Sequence, residues 1–322
     1  MKEAVKEKKI ISINQRKRNR IIFYTCLITL PLLQFAIFYV YVNINSIILA
    51  FQKYVVNKET NRGAYEWYGF GNFKNVFYKF AHEEILPQAF KNTLICFAIT
   101  ILVGFGGALM FSFYITKKMP FSKTFRFTLF LPSMISAVVL ILIFRYFSEN
   151  ALLNLVNQCR PKDAQPLSGL IYGTSNVAFW MVLSYTIFTG FGTMILMFSG
   201  AMSDVDESLV EAAALDGATQ IQEFFHVYLP LIYPTLVTFL VVNLSGLFTN
   251  QMGLFSFFGG QADPQLYTIG YYMFKEVLAS DGGMSLPAFC ELSAMGVTFT
   301  LIAVPVVFGS KVLLEKIGPK VD

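Results

Sequence analysis

Charge is scarce in this chain. Only 14% of its 322 residues are Asp, Glu, Lys or Arg, whereas soluble domains average roughly 25%. Histidine is scarcer still, with only His82 and His226. Two histidines build no metal centre without help from distant parts, and His226 reads as an interfacial polar residue. The four cysteines, Cys26, Cys96, Cys159 and Cys290, have neither metal-ligand nor redox spacing. They are expected to be unpaired, and no cofactor is implied. No G-x-x-x-x-G-K-(S/T) run occurs, nor H-E-x-x-H or G-x-S-x-G. Nucleotide hydrolysis and the common hydrolase chemistries therefore have no support, and the chain reads as a non-enzyme.

What is present is apolar. Hydrophobic residues make up 55% of the chain, including 34 Phe, and a soluble protein of that composition would expose large apolar patches. Six runs, at about 21–43, 89–115, 125–147, 177–200, 231–256 and 289–314, match the roughly 20 apolar residues that cross a hydrocarbon core. Each should be a helix, because a helix satisfies its own backbone in lipid. The expected fold class is thus all-α: a polytopic membrane protein of six transmembrane helices, with residues 1–20 as a basic segment and 21–322 as the membrane domain. The first run is longer than a signal-peptide core and lacks a small-residue cleavage site, so it reads as a retained anchor.

Lys and Arg set the orientation. Fifteen fall on the face that holds both termini, eight of them in residues 1–20, against eight on the other face. Both termini are therefore expected in the cytoplasm of a multi-pass plasma-membrane protein, with 44–88, 149–176 and 257–288 outside. The basic segment suits anionic headgroups better than nucleic acid. Asn45–Tyr54 has the periodicity of a helix lying on the outer surface.

One cytoplasmic loop breaks the charge rule. Residues 201–230 hold Asp204, Asp206, Glu207, Glu211, Asp216 and Glu223 but no Lys or Arg. Ser203 or Asp204 can cap a first short helix, with Asp206 and Glu207 in its first turn. Glu211 is followed by Ala212, Ala213 and Ala214, small enough for close approach of another surface. Gly217 can reverse the chain at positive φ. Thr219 can cap a second helix whose Ile221, Phe224, Phe225 and Val227 make an apolar side, and Leu229-Pro230 leads into the next span. The product is a helix-turn-helix with an apolar knob and an acidic rim, a shape that fits a groove.

Together with its flanking spans, this EAA triplet, Gly and Leu-Pro pattern resembles the coupling loop of permease subunits of binding-protein-dependent ABC importers. Other segments agree: Gly69, Asn72, Phe73 and Val76-Phe77; Lys91-Asn92-Thr93 opening span two; and Leu131-Pro132 in span three. Phe248 and Gly259-Gly260 with Pro264 are similar to the carbohydrate (maltose-type) branch, although Gln251 and Met252 depart from its pattern. The resemblance implies the type I importer permease fold. It implies two separate ATPase subunits, an extracytoplasmic substrate-binding protein and a second permease subunit, with a heterodimer favoured. It also implies that Glu211, Ala212, Ala213, Asp216, Gly217, Phe224, Phe225, Leu229 and Pro230 meet the ATPase.

A sugar path should pair aromatic faces with hydrogen-bonding groups. Spans four and five offer Trp180 and Tyr185, then Asn243, Ser245, Asn250 and Gln251, though any one aromatic is more often packing. Amino acids, peptides, phosphate and polyamines stay open as solutes. An ion-coupled secondary transporter would need ionisable groups at mid-membrane. The charged residues within or beside the spans, Lys91, Arg145 and Glu291, lie near span ends.

Overall fold

The computed structural model describes residues 2–57, 62–161, 165–281 and 286–319. Lys58, Lys162 and Lys320 of the charge count lie outside the described residues, as do the side chains of Lys2, Lys6, Lys8, Lys9, Arg16 and Arg62. The membrane part is helical, as a chain of long apolar runs requires.

Helix α1 runs Lys2–Phe35, passes through a π turn at Ala36–Tyr41 and continues as Val42–Ala50. Its apolar stretch, Lys17–Ala50, is exposed almost throughout, with Leu30 74% and Phe38 72% accessible. A helix this greasy with no neighbour over most of its length suits lipid or another subunit.

The chain then forms a two-stranded antiparallel hairpin, β1 Gln52–Asn57 and β2 Arg62–Trp67, with Gln52 opposite Trp67. This corrects the surface helix expected over Asn45–Tyr54. The helix there is simply the end of α1, and residues 52–57 are strand. Val55-Val56 and the Tyr54–Tyr65 cross-strand pair, 5.2 Å between ring centroids, favour the pleated form. Asn72, at the start of α2 (Gly71–His82), donates to Ala50 O at 2.9 Å and Gln52 O at 2.7 Å, sealing the helix-to-strand change.

Helix α3 spans Ile85–Thr116 and is span two as expected. Span three differs. Helix α4, Ser122–Met134, stops at Ile135 and Ser136, which are extended, and the apolar helix α5 occupies Ala137–Cys159. The break lies three residues beyond Pro132, and the expected external segment 149–176 is helical up to Cys159. Helix α6, Ser175–Ser203, is span four and packs against α3 and α4.

Two short helices follow, α7 (Glu207–Leu215) and α8 (Gln220–Leu231). Span five is not the continuous helix expected over 231–256. Helix α9 (Tyr233–Ser245) meets α8 at 69° and ends at Ser245. After an irregular stretch come the short α10 (Leu254–Phe258) and α11 (Ile269–Asp281). Helix α12, Leu286–Ile317, closes the bundle against α2, α9 and the end of α1.

Two cores result. One gathers Leu86, Phe179, Tyr185, Phe257, Tyr267, Tyr271 and Met295 around the irregular stretch. The other gathers Phe105, Ile195, Phe198, Met202, Tyr228 and Ile232 under the α7–α8 loop.

Candidate functional site

The irregular stretch after α9 is built by local hydrogen bonding. Gly246 ends the helix, and Asn250 Oδ1 accepts from Met252 N at 2.8 Å. Met252 and Gly253 both have positive φ, 53° and 71°. Non-helical backbone at membrane depth persists only where protein buries it or a cavity solvates it, and here both hold. Thr268 Oγ1 donates to Asn250 O at 2.8 Å. Gly270 packs so closely that a Cβ there would lie 2.6 Å from Thr249 O, so only glycine fits.

Span two supplies the other wall. Asn92 Nδ2 donates to Gln265 O at 2.8 Å and Tyr267 O at 2.9 Å, and Ile269 N donates to Thr93 Oγ1 at 3.0 Å. The Lys91-Asn92-Thr93 segment therefore pins the start of α11 to α3. Between α3 and the broken span lies a narrow cleft of about 40 Å³. Thr93, Thr100, Asn243, Asn250 and Thr268 bring polar atoms to it, and Cys96, Phe97 and Met252 bring soft apolar surface. Among the described residues no charged side chain lines it.

The expected path residues divide. Asn243 and Asn250 face the cleft. Ser245 is exposed elsewhere, its hydroxyl donating to Val242 O at 2.7 Å, and Gln251 does not line the cleft. Trp180 is 51% exposed on the outside of α6, edge-on to Phe179. Tyr185 is buried between Phe144 and Phe257, each with ring centroids 5.0 Å away. Thr93, Thr100 and Thr268 were missed. Thr93, Cys96 and Thr100 recur at one-face spacing on a helix, a signal hidden among the apolar residues of span two.

The coupling-type loop has the expected helix-turn-helix form, with three differences. Its first cap is Asp206, which accepts from Ser208 N at 3.0 Å; that hydrogen bond holds the Asp206 carboxyl below its ordinary range. Ser203 and Asp204 instead finish α6, which runs one turn further than its hydrophobicity suggests. Gly217 has φ +78°, the reversal expected, and Thr219 with Gln222 forms a full capping box on α8.

Second, the apolar side splits. Ile221 and Phe225 point outward at 71% and 55% exposure, joined by Leu215 at 89%. Phe224 turns inward onto Phe113, 5.1 Å between centroids, and Val227 and Leu229 are half-buried with Pro230. Glu207, Glu211, Ala212 and Asp216 are exposed, and Ala213 is half-buried. Third, Glu223 leaves the acidic rim. It is buried and ion-paired with Lys117 at the end of α3, whose ammonium also lies 5.7 Å from the Tyr228 ring centroid. His226 is exposed, its Nδ1 2.9 Å from Gln222 O. All four cysteine thiols are free.

Known proteins bear on this geometry. The family model described as "Binding-protein-dependent transport system inner membrane component" matches residues 118–322. The chain is 24% identical over 307 residues to the arabinooligosaccharides transport system permease protein AraP of Halalkalibacterium halodurans, covering 92% of this chain and 91% of that one. It is 28% identical over 185 residues to the sn-glycerol-3-phosphate transport system permease protein UgpA of Yersinia pseudotuberculosis, covering 56% and 58%. A bacterial ABC transporter involved in import of the acidic polysaccharide alginate has a chain that superposes with TM-score 0.72 at 21% identity, covering 94% of this chain and 97% of that one.

Proposed function

The chain belongs to the family of binding-protein-dependent transport system inner membrane components, and from that premise we propose that it forms part of the path for a neutral sugar or short oligosaccharide. It is a multi-pass membrane subunit, and ATP is hydrolysed by a separate polypeptide. An extracytoplasmic binding protein delivers the solute, and a second permease subunit completes the path.

The observation that carries the reading is the lining of the narrow cleft between α3 and the broken span five, polar and uncharged, which must widen to admit a sugar. Hydroxyls and amides at Thr93, Thr100, Asn243, Asn250 and Thr268 suit a solute rich in hydroxyl groups, and the soft apolar surface beside them suits sugar C–H faces. The arabinooligosaccharide permease named above supports the same class. The experiment is a panel of arabino-, xylo- and gluco-oligosaccharides and glycerol 3-phosphate, tested for uptake and for stimulation of ATP hydrolysis in the reconstituted transporter. Stimulation by a neutral oligosaccharide is expected; stimulation by the phosphate ester alone would overturn the class.

Coupling falls to the α7–α8 loop. Leu215, Ile221 and Phe225 form the knob offered to the ATPase groove, with Glu207, Glu211 and Asp216 around it. Gly217 sets the angle between the two helices, and Lys117–Glu223 ties the loop to α3. The termini and this loop lie in the cytoplasm, a reading supported by the charge count.

A further inference from the structure

The turn between α3 and α4 carries a feature that neither path nor coupling uses. Lys118 and Phe121 both hold left-handed backbone, φ 51° and 62°, and non-glycine residues adopt it rarely. Such strain persists only where surrounding contacts impose it, and it concentrates at functional sites. Here Tyr114 donates its hydroxyl to Pro120 O at 2.6 Å, holding the turn shut.

The turn and the end of α6 enclose a large cleft. Lys118, Lys123 and Arg126 line it, as do Ser203 and Asp204 from α6. Among the described residues none of the three cations has an acidic partner within ion-pair distance. Their neighbour Lys117, by contrast, is fully engaged by Glu223. Allowing for Asp204, the lining carries a net charge of +2, beside an apolar Phe121 that is 77% exposed. A solvated orientation signal explains the presence of cations here, but not their convergence on one cleft through a strained turn.

We infer that this cleft binds the phosphodiester headgroup of an anionic phospholipid, with Phe121 among the acyl chains. Basic pockets between helices at the cytoplasmic face are suited to such headgroups, and each juxtamembrane cation adds to the attraction. The inference rests on the proposed orientation, which puts residues 117–126 at the cytoplasmic leaflet. Lys123 and Arg126, one turn apart on the same helix, grip the phosphate, and Lys118 closes over it.

The test uses the transporter with its partner subunits, purified through a tag on this chain into nanodiscs of phosphatidylglycerol and phosphatidylcholine, with bound lipid read by native mass spectrometry. Phosphatidylglycerol is expected to be retained over phosphatidylcholine. The Lys123→Gln/Arg126→Gln pair should weaken retention roughly thirtyfold, taking one juxtamembrane increment per cation. Lys123→Arg with Arg126→Lys should preserve it, and Asp204→Asn should strengthen it. Saturating inorganic phosphate should leave the lipid bound. Equal retention of both lipids, no effect of the Gln pair, or displacement by inorganic phosphate would each overturn the inference. Labelling of Ser122→Cys from outside intact cells would instead sink the orientation, a failure the lipid counts read independently.

Discussion

Gly217 and Glu211 show how much rests on single positions in the coupling-type loop. Gly217 sits at φ +78° with open space around it, so backbone strain alone opposes a side chain there. A β-branched residue at that φ is a severe outlier, costing about 1–2 kcal/mol or more, and would re-aim α8. Gly217→Val is therefore expected to lower co-purification of the ATPase while membrane insertion persists. Glu211→Lys reverses an exposed charge at the proposed contact, and like charges across an interface cost several kcal/mol. Normal ATPase retention and normal substrate-stimulated hydrolysis in both variants would refute the coupling assignment.

Lys117 and Glu223 make a second residue-scale case. Glu223 is buried, so Lys117→Ala strands a desolvated carboxylate. The loss should be about 3 kcal/mol, the low end for breaking a buried pair, because the Lys117 side chain is 21% exposed. Limited proteolysis of the 201–230 loop in membranes should accelerate in Lys117→Ala. Lys117→Arg should restore protection; equal cleavage of all three proteins would contradict the anchoring role.

At the scale of elements, the break in span five matters most. An uninterrupted helix would send its amides around all faces. The break after Ser245 instead turns Asn243 and Asn250 into one cleft and leaves Ser245 and Gln251 outside it. Asn243→Ala should reduce uptake severalfold with assembly intact, since Asn243 lines the cleft and, among the described residues, its amide bonds to Phe239 O within its own helix. Gln251→Ala should leave uptake near normal. Asn250→Ala also removes the acceptor for Met252 N, a part-buried hydrogen bond worth about 1 kcal/mol, so it should lower uptake and thermal stability together. Equal uptake by Asn243→Ala and the parent would remove the cleft from the path.

For the whole molecule, the prediction is topological. With both termini and residues 201–230 in the cytoplasm, the β1–β2 hairpin lies outside. In a cysteine-free background, a membrane-impermeant thiol reagent on intact cells should label Glu66→Cys and not Gln220→Cys. The reverse pattern would invert the molecule, and with it the face offered to the ATPase. The exposed flank of α1 belongs to this scale too, since every residue from Lys17 to Ile48 is exposed and α12 meets the helix only toward its end. A helix left exposed from Lys17 to Ile48 is completed by lipid or by a second subunit.

Composition and local pattern were enough for the class of molecule and the form of the coupling-type loop, and they gave six apolar segments, of which, among the described residues, five are single helices long enough to cross a membrane and the sixth is the bent α8–α9 pair. Lipid demands long apolar runs, and a reversal between two short helices demands a residue such as Gly217, so both are written locally. The cleft was not. Asn92 and Thr93 meet residues 265–269 across more than 170 positions of sequence, and no periodicity reports a contact of that range. The break in span five was hidden for a related reason: Gly246, Asn250 and Gly253 mark it only weakly among apolar neighbours, and the packing of Thr268 and Gly270 against Thr249 and Asn250 holds the irregular backbone in place. Glu223 reads as one more acidic residue of a surface loop until the end of α3 brings Lys117 to it. Hydrophobicity and turn chemistry act within a few residues of sequence, whereas which polar groups become buried partners is decided only when distant helices close on one another.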